Sequence, residues 1–298
     1  MPTEPEREHP STYFVQDRGN REEMARLEIQ DKMLTTGMGG VLPELADPTI
    51  LRRVLDVGCG TGGWLLETAK TYPTIERLVG ADISGEMLTY ARTQAESLGL
   101  SERVQFRTMD ALRILEFPPA SFDLVNQRLG ISWLRLWDWK KLFLEYQRVS
   151  RPEGIIRVTE CDNPESNTPA FTKLYDILRE TFYRSGRFFT PTNDGITCAL
   201  ARLMTQHGSK NVQTRVHKMV LRAGTVEGQS FYEDTAHLFH VLFPFFQKWT
   251  RLPNDYQEIY QQALTEMQQP GFVATWTFHT VWGMKSEEGQ RLLMRGLP

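Results

Sequence analysis

The chain has 298 residues, with 34 Lys and Arg against 37 Asp and Glu, so its formal net charge is −3. Hydrophobic residues make up 40% and charged residues 24%, which supplies a large core and excludes chain-wide disorder, a collagen-like repeat and a disulfide-stapled mini-protein. A mildly acidic chain also lacks the basic face that general phosphate-backbone binding needs, so no nucleic-acid partner is expected.

Residues 1–12 read as a polar, Pro-bearing tail without an apolar h-region, so no secretory leader is expected there. Met24, Leu27, Ile29 and Met33 recur among charges at near-helical spacing. This predicts an amphipathic helix over 20–36 that stops at Gly37, Gly39 and Gly40. Strands and helices then alternate. Strands are predicted at 52–57, 76–82, 103–108, 122–127 and 154–160, with helices at 62–71, 85–98 and 138–150. Such alternation predicts a parallel sheet covered on both faces. After Glu160 come helices at 168–185 and 194–207, a period-two strand at 211–223, an aromatic-rich helical stretch at 228–269 and a second period-two strand at 272–284. The two late strands are expected to pair antiparallel at one edge. No apolar run approaches the ~20 residues of a membrane-spanning helix, so no membrane span is expected. Cys59, Cys161 and Cys198 lack metal-clamp spacing, and an odd number suits reduced thiols in a cytoplasmic protein.

The densest signal is Val54-Leu55-Asp56-Val57-Gly58-Cys59-Gly60-Thr61-Gly62-Gly63-Trp64, a strand running into a glycine-rich turn that opens a helix. Glycine there permits positive φ and close approach of a ligand to the backbone. Gly58-x-Gly60-x-x-Gly63 also fits the dinucleotide fingerprint, which keeps a nicotinamide-dependent oxidoreductase as an alternative. Asp56, ahead of the first glycine, is awkward beside a pyrophosphate and suits a cationic amino-acid ligand. Asp82 and Asp110 follow the next two strands. Acidic residues thus stand at three successive strand ends, along the edge where open α/β sheets bind ligands.

This series resembles the class I S-adenosylmethionine (SAM)-dependent methyltransferases, whose first motif is matched in full by Asp56-Val57-Gly58-Cys59-Gly60-Thr61-Gly62. The resemblance covers about residues 50–160. It implies SAM as cofactor and S-adenosylhomocysteine as its product. It further implies that Asp82 takes both ribose hydroxyls, as a carboxylate with two acceptor oxygens can. Ile83 and Met87 then pack the adenine face, Asp110 and Ala111 meet its amino group, and Asn126 and Gln127 close the site from the fourth strand. The expected fold class is α/β: a Rossmann-like, seven-stranded, mostly parallel sheet with helices on both faces and helical insertions forming a cap. Residues 1–48 are expected to form a tail and helical lid, and 49–298 the main domain, with cap insertions at about 163–192 and 225–270.

Glu23-x-x-Arg26-Leu27-x-x-Gln30 resembles a pattern in a subset of small-molecule methyltransferases. By that resemblance Arg26 pairs with the cofactor carboxylate and Tyr13 closes over the methyl-donor end. Read as charges alone, Arg26 fits an i,i+3 or i,i+4 pair equally well.

The run Asn126-Gln127-Arg128-Leu129 lacks the prolines that enzymes methylating base amines carry there, which favours a small-molecule acceptor. Phe182, Tyr183, Phe188 and Phe189, with Phe231, Tyr232, Phe239, Phe243, Phe245, Phe246 and Trp249, predict an apolar pocket, or ordinary core or a subunit interface. His237 and His240, three apart on one helix, are candidate general bases, together with Tyr13. Glu160 and Asp162 are expected to face the acceptor, with Arg128, Trp133 and Phe239 as further contacts. No third metal ligand accompanies the two histidines, so no metal is expected. The expected function is methyl transfer to an O, N, S or C nucleophile of a small hydrophobic or aromatic molecule. A SAM-binding regulator or scaffold without transfer activity would keep the same motifs, and a homodimer is compatible with the chain.

Overall fold

Arg53–Val57 forms the first strand, β1, because four successive apolar or motif residues are buried there on both faces of a sheet. Val54 joins a core cluster with Leu65, Leu78, Leu88 and Leu124, while Leu55 and Val57 join the cluster on the opposite face. The computed structural model describes residues 13–14 and 21–286, so the expected tail at 1–12 lies outside the described residues.

Helix α1 (Arg21–Gly37) precedes β1, and α2 (Gly63–Thr71) follows it. Strand β2 (Arg77–Asp82) leads to α3 (Gly85–Ser97), which Ser84 caps by accepting from the Met87 N–H. Strands β3 (Val104–Thr108) and β4 (Phe122–Arg128), helix α4 (Asp138–Val149) and strand β5 (Ser150–Cys161) complete the alternating half. Strand β6 (Glu165–Ser166), α5 (Pro169–Arg184), α6 (Thr197–Gln206) and β7 (Ser209–Arg222) come next. Helices α7 (Val226–Val241), α8 (Phe243–Trp249) and α9 (Tyr256–Met267) precede the last strand, β8 (Val273–Lys285). Pro169 opens α5 and Pro244 opens α8, positions where the missing N–H is harmless.

Strands β1 to β5 run parallel in the order β3-β2-β1-β4-β5. Antiparallel β8 follows β5, with Thr159 opposite Thr280. The late period-two strands do pair, from Arg222 opposite Val273 to Ser209 opposite Lys285. Because β7 takes one side of β8 along its length, β6 continues on the side that β5 occupies. Among the described residues the sheet has eight strands: β6 adds to the seven expected and, at two residues, is too short to show a period. Strand order reverses between β1 and β4, the switch point where a crevice opens beyond the strand ends. The segments 163–192 and 225–270 carry α5 and α7 to α9, and α1 packs against α7. Among the described residues no helix is long and apolar enough to cross a membrane.

Candidate cofactor and acceptor site

The glycine turn is pinned to the second strand before any ligand is considered. The N–H groups of Gly58 and Cys59 donate to the Ala81 carbonyl at 2.8 and 3.1 Å. The Gly60 N–H donates to Asp82 Oδ2 at 2.9 Å, and the Ser84 N–H donates to Oδ1 at 2.9 Å. Asp82 thus joins the turn after β1 to the start of α3. Two positions demand glycine. At Gly58, φ is +69° and a Cβ would lie 3.0 Å from the Trp133 indole nitrogen. At Gly62, φ is +77° and a Cβ would stand 2.7 Å from the Phe106 ring. Gly62 also serves as the N-cap of α2 without a side-chain hydrogen bond.

From this turn a cavity runs beneath α1 to the aromatic helices. Of the expected cofactor residues, Arg26, Asp56, Gly58, Cys59, Gly60, Asp82, Ile83, Met87, Asp110 and Ala111 line it. Asp110 is fixed by accepting the Leu112 N–H at 2.9 Å. Gly62, Asn126 and Gln127 do not line it. Asn126 is fully buried one layer behind, donating to Asp56 Oδ1 at 2.7 Å and accepting from Arg157 at 2.7 Å. Burial pushes the Asp56 carboxyl up to about 7, against the opposing pull of Arg128 and the Asn126 amide. A cationic amino group beside it would draw it back down.

Glu160 was expected to face the acceptor and Gln127 the cofactor. Both side chains instead turn into the protein, because the chain leaves β4 through a turn that needs an anchor. Glu160 accepts from Gly130 N–H at 2.6 Å, from Ile131 N–H at 3.2 Å and from Gln127 Nε2 at 2.8 Å. Leu129, at φ +51°, is the residue that takes the left-handed conformation there. The anchored turn presents Leu129, Ile131, Ser132 and Trp133 to the cavity. Its Ser132 carbonyl accepts the Phe14 N–H at 3.0 Å, which seats Tyr13 and Phe14 on the site.

Burial raises the Glu160 carboxyl from 4.5 to about 8, despite the lowering effect of the Ile131 and Gly130 N–H groups. A carboxyl raised on folding adds stability that is fully present below 4.5 and lost as pH rises through about 8. Asp56 acts with the same sign between 3.8 and about 7. The urea midpoint is therefore expected to fall as pH is raised from about 5 to about 9. Glu160→Gln, though less stable overall because its amide nitrogen would face Ile131 N–H, should lose the upper part of that fall. Wild-type stability that climbs across this window would refute the assignment.

At the other end Phe14 inserts among the cap aromatics, with ring centroids 6.0 Å from Phe182 and 6.2 Å from Phe245. Tyr175, Leu178, Phe182, Phe188 and Trp276 line this end, and none but Phe182 and Phe188 was expected from sequence. Phe239 was expected to touch the acceptor. It lies buried behind Tyr175, edge-on at 5.0 Å, and does not line the cavity. Neither histidine of α7 reaches the cavity: His240 is exposed and His237 half-buried, while Leu238 between them lines it. The helix turns by about 100° per residue, so the lining face of α7 excludes both. Asp162 lines the cavity and Glu160 does not.

Tyr13 lines the cavity, and its hydroxyl donates to Glu23 Oε1 at 2.6 Å. Burial, then the Glu23 charge, pushes its pKa far up, which keeps the hydroxyl protonated and leaves no phenolate to act as a base. Arg26, expected to pair with the cofactor, already has protein partners. Its Nε and Nη2 donate to Glu23 at 2.8 and 2.7 Å, and its Nη1 to Asp234 at 2.7 Å. Asp234 was not foreseen; an acidic residue in the middle of an aromatic-rich helix was the available signal. Arg128 also lines the cavity and is paired with Asp31 of α1. The Cys59 and Cys161 thiols line it too, and burial raises both well above their ordinary value, so they stay protonated.

An open α/β sheet with acidic residues at the carboxyl ends of β1, β2 and β3 and a glycine turn at its switch point defines a nucleoside-binding site on a doubly wound fold. A family profile described as a methyltransferase domain matches residues 54–154. A demethylmenaquinone methyltransferase of Bacillus licheniformis is 32% identical over 179 residues, 53% of this chain and 71% of that protein. One from Deinococcus radiodurans is 38% identical over 115 residues, 39% of this chain and 45% of that protein. The chain belongs to the class I SAM-dependent methyltransferases. It spans between 23% and 54% of the length of the first curated relatives it matches. In fold it is similar to phosphoethanolamine N-methyltransferase 2 of Haemonchus contortus, with a TM-score of 0.52 at 19% identity, over 90% of this chain and 59% of that one.

Proposed function

We propose that this protein transfers a methyl group from SAM to a small, mainly apolar acceptor. The observation that carries this reading is the single cavity joining the glycine turn to the aromatic cap. It gives a cofactor and an acceptor adjoining places in one continuous space, and alignment is most of what an in-line displacement asks of a protein. SAM supplies an activated methyl on a sulfonium sulfur.

In this reading Asp82 receives the ribose hydroxyls through its carboxylate oxygens. Asp110 faces the adenine amino group, and Ile83 and Met87 flank the ring. Asp56, nearest the first glycine, faces the amino-acid end. The turn held by Glu160 places Trp133 over Gly58, between the cofactor place and the acceptor place. Tyr13, Phe14 and α1 act as a lid. His237 and His240 have no place in this scheme.

The test is calorimetric binding of SAM and S-adenosylhomocysteine, with NAD as control. Micromolar binding of both sulfur ligands and none of NAD is expected. Binding of NAD alone would return the glycine turn to the nicotinamide alternative. A labelled methyl donor incubated with acceptor mixtures then separates an enzyme from a SAM-binding regulator, which would bind and yield no labelled product.

A further inference from the structure

The acceptor end of the cavity holds Asp162 among Cys161, Tyr175, Phe182 and Trp276. Its backbone N–H donates to the Thr277 carbonyl at 2.9 Å, and the Trp276 indole donates to its carbonyl at 3.1 Å. One carboxylate oxygen accepts from the Thr197 hydroxyl, and the other is 3.1 Å from His279 Nε2. These contacts fix the group in one orientation. A carboxylate offers about four lone-pair sites, and the side chain keeps 18% of its area accessible, so acceptor capacity is left over beside the Phe182 and Trp276 rings.

The charge inventory of the same cavity is equally selective. Its two cations among the described lining residues are Arg26, held by Glu23 and Asp234, and Arg128, held by Asp31. Among the described lining residues no cation is thus left over to neutralise an anionic headgroup, and burying an unpaired anion beside Asp162 is strongly unfavourable.

Taking the methyltransferase reading as its basis, we propose that Asp162, held by His279 and Thr197, is the specificity-determining group for the acceptor. It receives a hydrogen bond from a hydroxyl or N–H on a flat, apolar, non-anionic molecule. His279 and Thr197 are positioning residues that act through Asp162.

The probes are naphthol, its methyl ether and naphthyl phosphate, titrated by equilibrium dialysis into the full chain with and without S-adenosylhomocysteine. Naphthol should bind about tenfold more tightly than the ether, because only it donates to a charged acceptor, and naphthyl phosphate should bind more weakly than either. In Asp162→Asn the amide can still meet Thr197 and His279, yet the preference for naphthol over its ether should shrink to about twofold. A merely structural role would weaken both probes alike. His279→Gln, a milder change, should shrink the preference in the same direction. Equal binding of naphthol and ether, tight binding of the phosphate, no naphthol binding, or an unchanged preference in Asp162→Asn would each overturn the proposal. Failure of S-adenosylhomocysteine itself to bind would instead overturn the cofactor reading, and the probe titrations without it would still report on Asp162.

Discussion

Asp82→Ala should weaken binding of both SAM and S-adenosylhomocysteine by about a hundredfold. Two losses combine. On the proposed reading the carboxylate accepts from the ribose hydroxyls, and a hydrogen bond to a charged group contributes about 1.5–3 kcal/mol. Its oxygens also hold Gly60 and Ser84 through bonds of 2.9 Å each, so the glycine turn loses its tether to α3. Asp82→Asn separates the two. An asparagine keeps one acceptor oxygen for the Gly60 N–H while its nitrogen opposes the Ser84 N–H, so affinity should fall between wild type and alanine. Calorimetry measures the affinities, and thermal unfolding of the free protein checks that the loss belongs to the ligand. Unchanged affinity in Asp82→Ala would remove Asp82 from the cofactor site.

The part of the molecule legible in the sequence is the part built from local rules. Val54–Val57 reads as a strand because it is apolar and bounded by glycine, and Gly58, Gly60 and Gly62 all take positive φ in the structure. Asp82 and Asp110 follow from strand ends, which periodicity locates to within a residue or two. The acceptor end is a different matter, since its walls come from α1, β5, α5, α7 and β8, brought together by tertiary packing. On α7, His237 and His240 stand out chemically, yet the face toward the cavity is set by how α7 packs on α1. The buried Arg26–Asp234 contact spans a separation of 208 residues, beyond any local pattern. Glu160 and Asp162 show the same limit. They are two residues apart, but β5 ends at Cys161, and the change of direction sends one carboxylate under the β4 turn and the other to the cavity.

Arg26→Met should be the most destabilising of the substitutions considered, by about 3–5 kcal/mol, because it strands two buried carboxylates. The Arg26, Glu23 and Asp234 side chains expose no more than 2% of their area. Burial by itself would lower the Arg26 pKa, but hydrogen bonds and charge from Glu23, then Asp234, hold it well above its usual value. Burial raises the Asp234 carboxyl, and Arg26 opposes that rise. Gln30 adds contacts of 3.2 and 3.3 Å to the two oxygens of Asp234, so α1 and α7 are joined by one polar patch inside an apolar interface. Removing the guanidinium leaves Glu23 and Asp234 to protonate or separate, and separation means that α1 leaves α7. Urea unfolding followed by fluorescence reads the stability, and limited proteolysis within α1 reads the local opening. Replacing all three groups together, with Glu23→Gln, Arg26→Met and Asp234→Leu, should recover much of the loss, since a missing ion pair is better tolerated than half of one. The same variant decides between the two partners that sequence and structure assign to Arg26. If the guanidinium also served the cofactor carboxylate, Arg26→Met would weaken S-adenosylhomocysteine far more than methylthioadenosine, which lacks that carboxylate. The pairing with Glu23 and Asp234 predicts equal losses for the two ligands, both arising from an opened lid.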